Sequence, residues 1–257
     1  MEFLRHNPRL SAVPLLPAAR MGSLPRASEL EQVAASVFNR LGGLLSVIAS
    51  DSEVEVSAAM AVWVAEGGNR QFVPKRAPIR LAVNQLFDAW GKRNRQLFDA
   101  HFRFGGHNLQ PGQPWENQEF RTETPGHFSS VHHNQNSEYA ALTLAQVLSG
   151  DELALACCTI GGCQLKMEDH TLLGFDTARQ MYEAFEESER AHVLGFFDFC
   201  ANQPAPRVGD LMNYLRTKDW ANFSKNYNGS ETVPNDAPRL ESAYRSAFAV
   251  LENKKAA

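Results

Sequence analysis

A chain of 257 residues and 28.6 kDa is long enough to bury a sizeable core and short for two full domains, so one large domain, or a domain with an insertion, is expected. A formal net charge of −4 and a pI near 6.1 leave no electrostatic footprint for nucleic acid or an anionic membrane. No run reads as a membrane span, and the opening Met1-Glu2-Phe3-Leu4-Arg5-His6-Asn7-Pro8 lacks the continuous apolar core of a signal peptide, which predicts a soluble chain made in the cytoplasm and exported, if at all, by another machine.

Residues 1–27 hold four prolines and two short apolar patches, the composition of an extended arm packed on the body or on a partner. Residues 28–257 then read as one domain. Ser28 with Glu31 forms a capping box, and Leu30, Val33, Val37, Phe38, Leu41, Leu45 and Ile48 follow at helical spacing. Gly42-Gly43 inside that helix costs about 1 kcal/mol per glycine relative to alanine, so a break or a close packing contact is expected there. The next run, Ala58-Ala59-Met60-Ala61-Val62-Trp63-Val64-Ala65, is apolar and helix-compatible and ends on Glu66 followed by Gly67-Gly68. A carboxylate at a helix C-terminus, opening into a glycine turn, is rigid on one side and free on the other. The helix dipole and apolar neighbours favour its protonated form, as a general acid requires. Taken alone, the same residue also reads as a solvated glutamate in a last turn.

Residues 78–104 predict one or two helices split near Gly91. Between 105 and 136 the pattern dissolves into Gly, Pro, Asn, Gln and His around Trp115, Phe120 and Phe128. Such a loop is either a flap whose aromatic faces stack on sugars while amides bond the hydroxyls, or an insertion pinned to the body by those aromatics. Helical spacing returns at 137–149, 151–158, 177–187, 189–202, 208–218, 220–227 and 238–253. Cys157, Cys158, Cys163 and Cys200 are too few and too clustered for a disulfide framework and read as small buried thiols, with Cys157 and Cys158 in a helix tail. His127, His132 and His133 crowd one stretch without cysteine or carboxylate at ligand spacing, so no metal and no cofactor is expected.

Two later segments bear on Glu66. In Thr159-Ile160-Gly161-Gly162-Cys163-Gln164-Leu165 a helix is expected to give way to a glycine turn that brings backbone, a hydroxyl and a planar amide close to a ligand. In Trp220-Ala221-Asn222-Phe223-Ser224-Lys225-Asn226-Tyr227-Asn228-Gly229, an aromatic stripe that would by default be core ends in a phenol and an amide at a helix mouth.

The order Glu-Gly-Gly, Gly-x-x-Gln, Tyr-Asn-Gly resembles the lysozyme-like superfamily of goose-type lysozymes and lytic transglycosylases. More closely, it is similar to the N-acetylmuramidases of phage endolysins and bacterial cell-wall hydrolases. The likeness runs from about Leu30 to Leu251 and includes Phe185-Glu186-Glu187-Ser188-Glu189-Arg190, Gly195-Phe196-Phe197-Asp198-Phe199, and Leu240 with Ala243-Tyr244. It implies a mainly α-helical lysozyme-like domain with a long loop or small β insertion at 105–136. It also implies cleavage of peptidoglycan glycan strands between N-acetylmuramic acid and N-acetylglucosamine. Glu66 matches the catalytic glutamate, Gly161 and Gln164 with Thr159 match the segment lining the cleft, and Tyr227 and Asn228 match residues that help hold acid and substrate.

The chain also departs from the pattern. The family's second carboxylate and histidine fall on Ala82 and Asn84, a residue is missing in Glu66-Gly67-Gly68-Asn69, and Lys166 stands in an apolar place. Two readings follow. In one, Glu66 works alone, as in lytic transglycosylases, serving as acid and then as base; Asp51, Glu53, Glu168 and Asp169 are spare carboxylates that no pattern singles out. In the other, turnover has lapsed and the chain is a wall-binding or structural component. The chain also resembles a branch that accompanies phage-tail-like contractile injection systems, a resemblance that would imply particle proteins as partners.

Overall fold

The computed structural model describes residues 3–22, 24–66, 72–108, 110–203, 210–227 and 233–256. The chain forms two units, Met1–Phe72 with Ser188–Ala257, and Val73–Glu187. In chain order the first unit contributes α1 (Pro8–Ala12), α2 (Glu29–Asp51) and α3 (Val56–Glu66). The second contributes β1 (Ile79–Leu81), α4 (Val83–Ala89), α5 (Arg95–His101), β2 (Phe102–Arg103), β3 (Glu119–Phe120), β4 (Ser129–Ser130), α6 (Gln135–Ser149), α7 (Asp151–Ala156), β5 (Cys158–Ile160), β6 (Leu165–Lys166) and α8 (Ala178–Glu187). The first unit then resumes with α9 (Glu189–Ala201), α10 (Leu211–Thr217), α11 (Trp220–Tyr227) and α12 (Val233–Ala256).

In the first unit the capping box forms as read: Ser28 Oγ accepts from Glu31 N–H at 3.3 Å and the Glu31 carboxylate accepts from Ser28 N–H at 2.7 Å. α2 buries Ala34, Val37, Phe38, Leu41, Leu45 and Ile48, the face that spacing assigned to the core. By length and composition α2 could cross a membrane, contrary to the expectation that no run would qualify; its buried face is that of a core helix. α3 is apolar on every side, Ser57 through Val64 being buried, and α2 and α12 pack on it. A helix without a polar face needs such surroundings. Trp63 of α3 meets Phe196 of α9 edge to face at 4.7 Å. α12 starts five residues earlier than spacing suggested and carries Pro238 inside it.

Residues 3–22 are not uniformly extended, since α1 and a 3-10 turn at Leu4–His6 interrupt them. They cross α2 at Gly43, whose N–H donates to Leu15 O at 2.9 Å. A Cβ on Gly43 would stand 2.2 Å from Leu16 O and 2.5 Å from Pro14 O. The glycine therefore marks a close crossing, and α2 runs through it unbroken. Arg190 donates to Leu10 O and Val13 O, both at 2.6 Å, and Asn39 bonds Met21 through N–H and C=O.

The segment's first turn docks on Asp198, whose Oδ1 accepts from Leu4 N–H at 2.9 Å. Burial pushes the Asp198 carboxyl up to about 7, against the opposing pull of the Leu4 and Arg5 backbone donors and the Arg5 charge. Between its ordinary 3.8 and about 7 the folded protein holds a proton that the unfolded chain has released. Stability therefore falls as pH rises through that window, by up to about 1.4 kcal/mol per pH unit. Asp198→Asn is neutral throughout and is expected to flatten that descent in thermal melts between pH 5 and 7.5. Parallel slopes for the two proteins would refute this assignment.

The second unit carries two antiparallel sheets of three strands, ordered β1-β5-β6 and β2-β3-β4. β1 pairs β5 with Ile79 opposite Ile160 and Leu81 opposite Cys158. On this inner side Pro78 O accepts from Gly161 N–H and Ala82 N–H donates to Cys157 O. The outer edge is closed by side chains. The alternate N–H groups of Ala77, Ile79, Leu81 and Val83 donate to Glu186 Oε1 at 2.8 Å, Gln135 Oε1 at 2.9 Å, Glu138 Oε2 at 2.9 Å and Gln118 Oε1 at 2.8 Å. Tyr139 Oη and Gln135 Nε2 return donors to Ala77 O and Ile79 O. Buried backbone groups need partners, and here side chains from α6, α8 and the residue before β3 stand where another strand would.

The stretch 105–136 is more ordered than its composition suggests. It supplies β3 and β4 and is anchored by Phe120, by Phe104 and by His107, which stacks on Phe104 at 4.7 Å and contacts Asp99 Oδ1 through Nε2 at 2.7 Å. Phe128 lies under the guanidinium groups of Arg103 and Arg121, while Trp115 is 60% exposed. His132 meets Glu138 at 2.7 Å. All four cysteines are buried and outside any disulfide among the described residues, but Cys157 caps α7 and Cys158 opens β5, so they do not form a helix tail.

Candidate active site

Glu66 is the last residue of α3, so the buried Ala58–Val64 stretch fixes its backbone while its side chain remains 17% exposed. Its Oε1 accepts from Arg239 Nη2 on α12 at 2.6 Å. The same nitrogen donates to Asp236 Oδ1 at 3.0 Å, and Arg239 Nη1 donates to Ala65 O at 2.8 Å. The guanidinium thus caps a carbonyl at the end of α3 and grips the carboxylate that leaves it. The expected apolar surroundings are corrected on this point, since a charge-assisted pair holds Glu66. Gly67, Gly68 and Asn69 lie outside the described residues, as do Asn228 and Gly229.

Tyr227 ends α11 in the same unit. Its ring stacks on Phe223 at 5.2 Å and takes Phe199 and Phe196 edge-on at 5.5 and 6.0 Å. Phe196 in turn packs on Trp63, so a chain of rings connects Tyr227 with the helix that carries Glu66. Trp220 and Phe223 are core, as the aromatic stripe predicts.

Thr159, Gly161 and Gln164 belong to the other unit, where they form one hydrogen-bonded turn. The expected helix-to-turn passage is instead the β5–β6 hairpin. Gly161 has φ +85°, a left-handed conformation suited to glycine, and its N–H donates to Pro78 O at 2.8 Å. Gln164 Oε1 accepts from Thr159 Oγ1 at 2.9 Å, and Gln164 Nε2 donates to Gly161 O at 2.9 Å. Lys166 points outward beside Glu168 at 3.5 Å. Ala82 precedes α4 without a side-chain cap, and Asn84 Oδ1 accepts from Gln118 Nε2 at 3.1 Å, within the network that closes the β1 edge.

Of the spare carboxylates, Asp51 pairs with Arg9 at 3.0 Å and Glu168 with Lys166. Sequence reasoning missed Arg239 and Asp236. Their spacing of three on a helix hints at a pair, but nothing local connects them with a glutamate 173 residues away. It also passed over Glu55, which ties the start of α3 to Ser57, Lys218 and Tyr244; burial raises its carboxyl, and those three partners outweigh burial and lower it. No group of three or more potential metal ligands occurs among the described residues.

The sequence matches the family described as Muramidase, N-acetylmuramidase, over residues 55–247, a span that contains Glu66, Thr159, Gly161, Gln164, Tyr227 and Arg239. The structure is similar to the crystal structure of the Burkholderia AP3 phage endolysin, with a TM-score of 0.56 and 22% identity over 89% of this chain and 74% of that one. No curated protein matches significantly. The fold is mainly α and lysozyme-like, with two small sheets among the described residues.

Proposed function

Because this chain belongs to the N-acetylmuramidase family, a family of peptidoglycan-cleaving glycosidases, we propose that it cuts glycan strands between N-acetylmuramic acid and N-acetylglucosamine with Glu66 as proton donor. The observation that carries the reading is the placement of Glu66 at the end of a buried, rigid helix, with its carboxylate partly open and gripped by Arg239.

Glu66 donates its proton to the glycosidic oxygen as the C–O bond breaks and the sugar gains oxocarbenium character. The resulting carboxylate then accepts a proton, either from a water that attacks the anomeric carbon or from a hydroxyl of the sugar itself. Ala82 stands where the family pattern puts a second carboxylate, which favours a mechanism in which one glutamate serves both steps. Tyr227 and Asn228 are assigned to holding acid and substrate, and Thr159, Gly161 and Gln164 to sugar contacts. The substrate places the action at the cell wall, after delivery or release.

The wild-type chain incubated with purified peptidoglycan is expected to release muropeptides, and mass spectrometry of their ends reads the mechanism. Reducing ends mark hydrolysis by water, and 1,6-anhydro ends mark capture by the sugar hydroxyl. The replacements at Ala82 and Asn84 favour one second reading, a wall-binding protein without turnover. Cosedimentation with cell walls and no released product would establish that reading instead.

A further inference from the structure

Resting on the reading of Glu66 as the acid, we infer that Arg239 is its positioning residue and that Asp236 is the alternative acceptor of the guanidinium. Arg239 reaches three acceptors: Ala65 O at 2.8 Å, Glu66 Oε1 at 2.6 Å and Asp236 Oδ1 at 3.0 Å. The first two belong to consecutive residues at the end of α3, and a planar fork that bonds both fixes the direction in which the Glu66 side chain leaves the helix. Asp236 lies one helical turn before Arg239 on α12 and tethers the guanidinium from behind.

The arrangement acts at the step that leaves Glu66 charged, because a neighbouring cation favours the carboxylate over the acid. When Glu66 carries its proton, the guanidinium keeps Asp236 and Ala65 O as partners and remains in place. When the proton passes to the glycosidic oxygen, negative charge develops on Glu66 beside a cation already oriented to receive it. Stabilisation that grows with the developing charge accelerates the chemical step, whereas binding of the sugar is left unaltered. A residue that merely capped α3 would have no such split effect.

The test compares wild type, Glu66→Gln, Arg239→Gln, Arg239→Lys and Asp236→Asn on solubilised peptidoglycan, with a thermal melt of each. Arg239→Gln is expected to lower kcat by about 10- to 100-fold with KM changed less than about threefold. Arg239→Lys, which keeps the charge and loses the fork, recovers part of the loss. Asp236→Asn, which leaves the cation in place, gives a smaller fall in kcat and covers the case in which Arg239→Gln does not fold. Arg239→Gln at the wild-type kcat, or Arg239→Lys no better than Arg239→Gln, while Glu66→Gln is inert, overturns the inference and leaves the Glu66 reading standing. A wild-type chain without turnover, or Glu66→Gln as active as wild type, overturns both.

Discussion

Glu66→Gln is expected to release muropeptides at less than about a hundredth of the wild-type rate while unfolding at nearly the same temperature. The substitution keeps the size of the side chain and an oxygen for Arg239, and removes the one thing a general acid contributes, a transferable proton. Positioned proton transfer is worth about 10²- to 10⁴-fold, and uncatalysed glycosides are so inert that little activity survives its loss. The effect on folding is small because the side chain lies at the end of α3 and is partly exposed, so the change stays within about 1 kcal/mol. A variant that keeps a tenth or more of the activity would remove Glu66 from the mechanism, whichever product ends the wild type gives.

Glu138→Ala is expected to cost on the order of 3 kcal/mol and to lower the melting temperature by about 10 °C. Glu138 is buried, with one oxygen on Leu81 N–H at 2.9 Å and the other on His132 Nδ1 at 2.7 Å. Alanine strands both donors in the interior, where each unpaired polar group costs about 1–3 kcal/mol, and opens a void beside them. Glu138→Gln keeps the shape and one acceptor and should lose less than half as much. Equal melts for the wild type and Glu138→Ala would mean that water reaches this edge freely.

The helices were legible because their cores obey one rule. α2, α8 and α11 bury residues at a period that sequence spacing reports directly, and the Ser28 box marks a start within a residue. The strands were not, because elements of two or three residues such as β3 and β6 are too short to show alternation, and their hydrogen bonds join residues distant in sequence. Gly43 was legible as an anomaly but not as a crossing, since Pro14 and Leu16 reach it through tertiary packing alone. At the candidate site, helix end and carboxylate could be read at Glu66, whereas the identity of its partner could not. Arg239 in isolation is an ordinary charged residue on a helix, and its role arises only when α12 packs on α3.

The side chains that line β1 also determine what the protein does when crowded. An open strand edge is a template on which a second copy, or a partly unfolded neighbour, can add a strand and start a ribbon. At β1 that template is already filled by groups from α6, α8 and Gln118. To recruit another chain here, an intruder would have to evict four side chains, leave the Glu138 and Glu186 carboxylates without their backbone donors, and unseat the helices that carry them. Self-templating through this edge is therefore blocked by the same contacts that hold the strand in place.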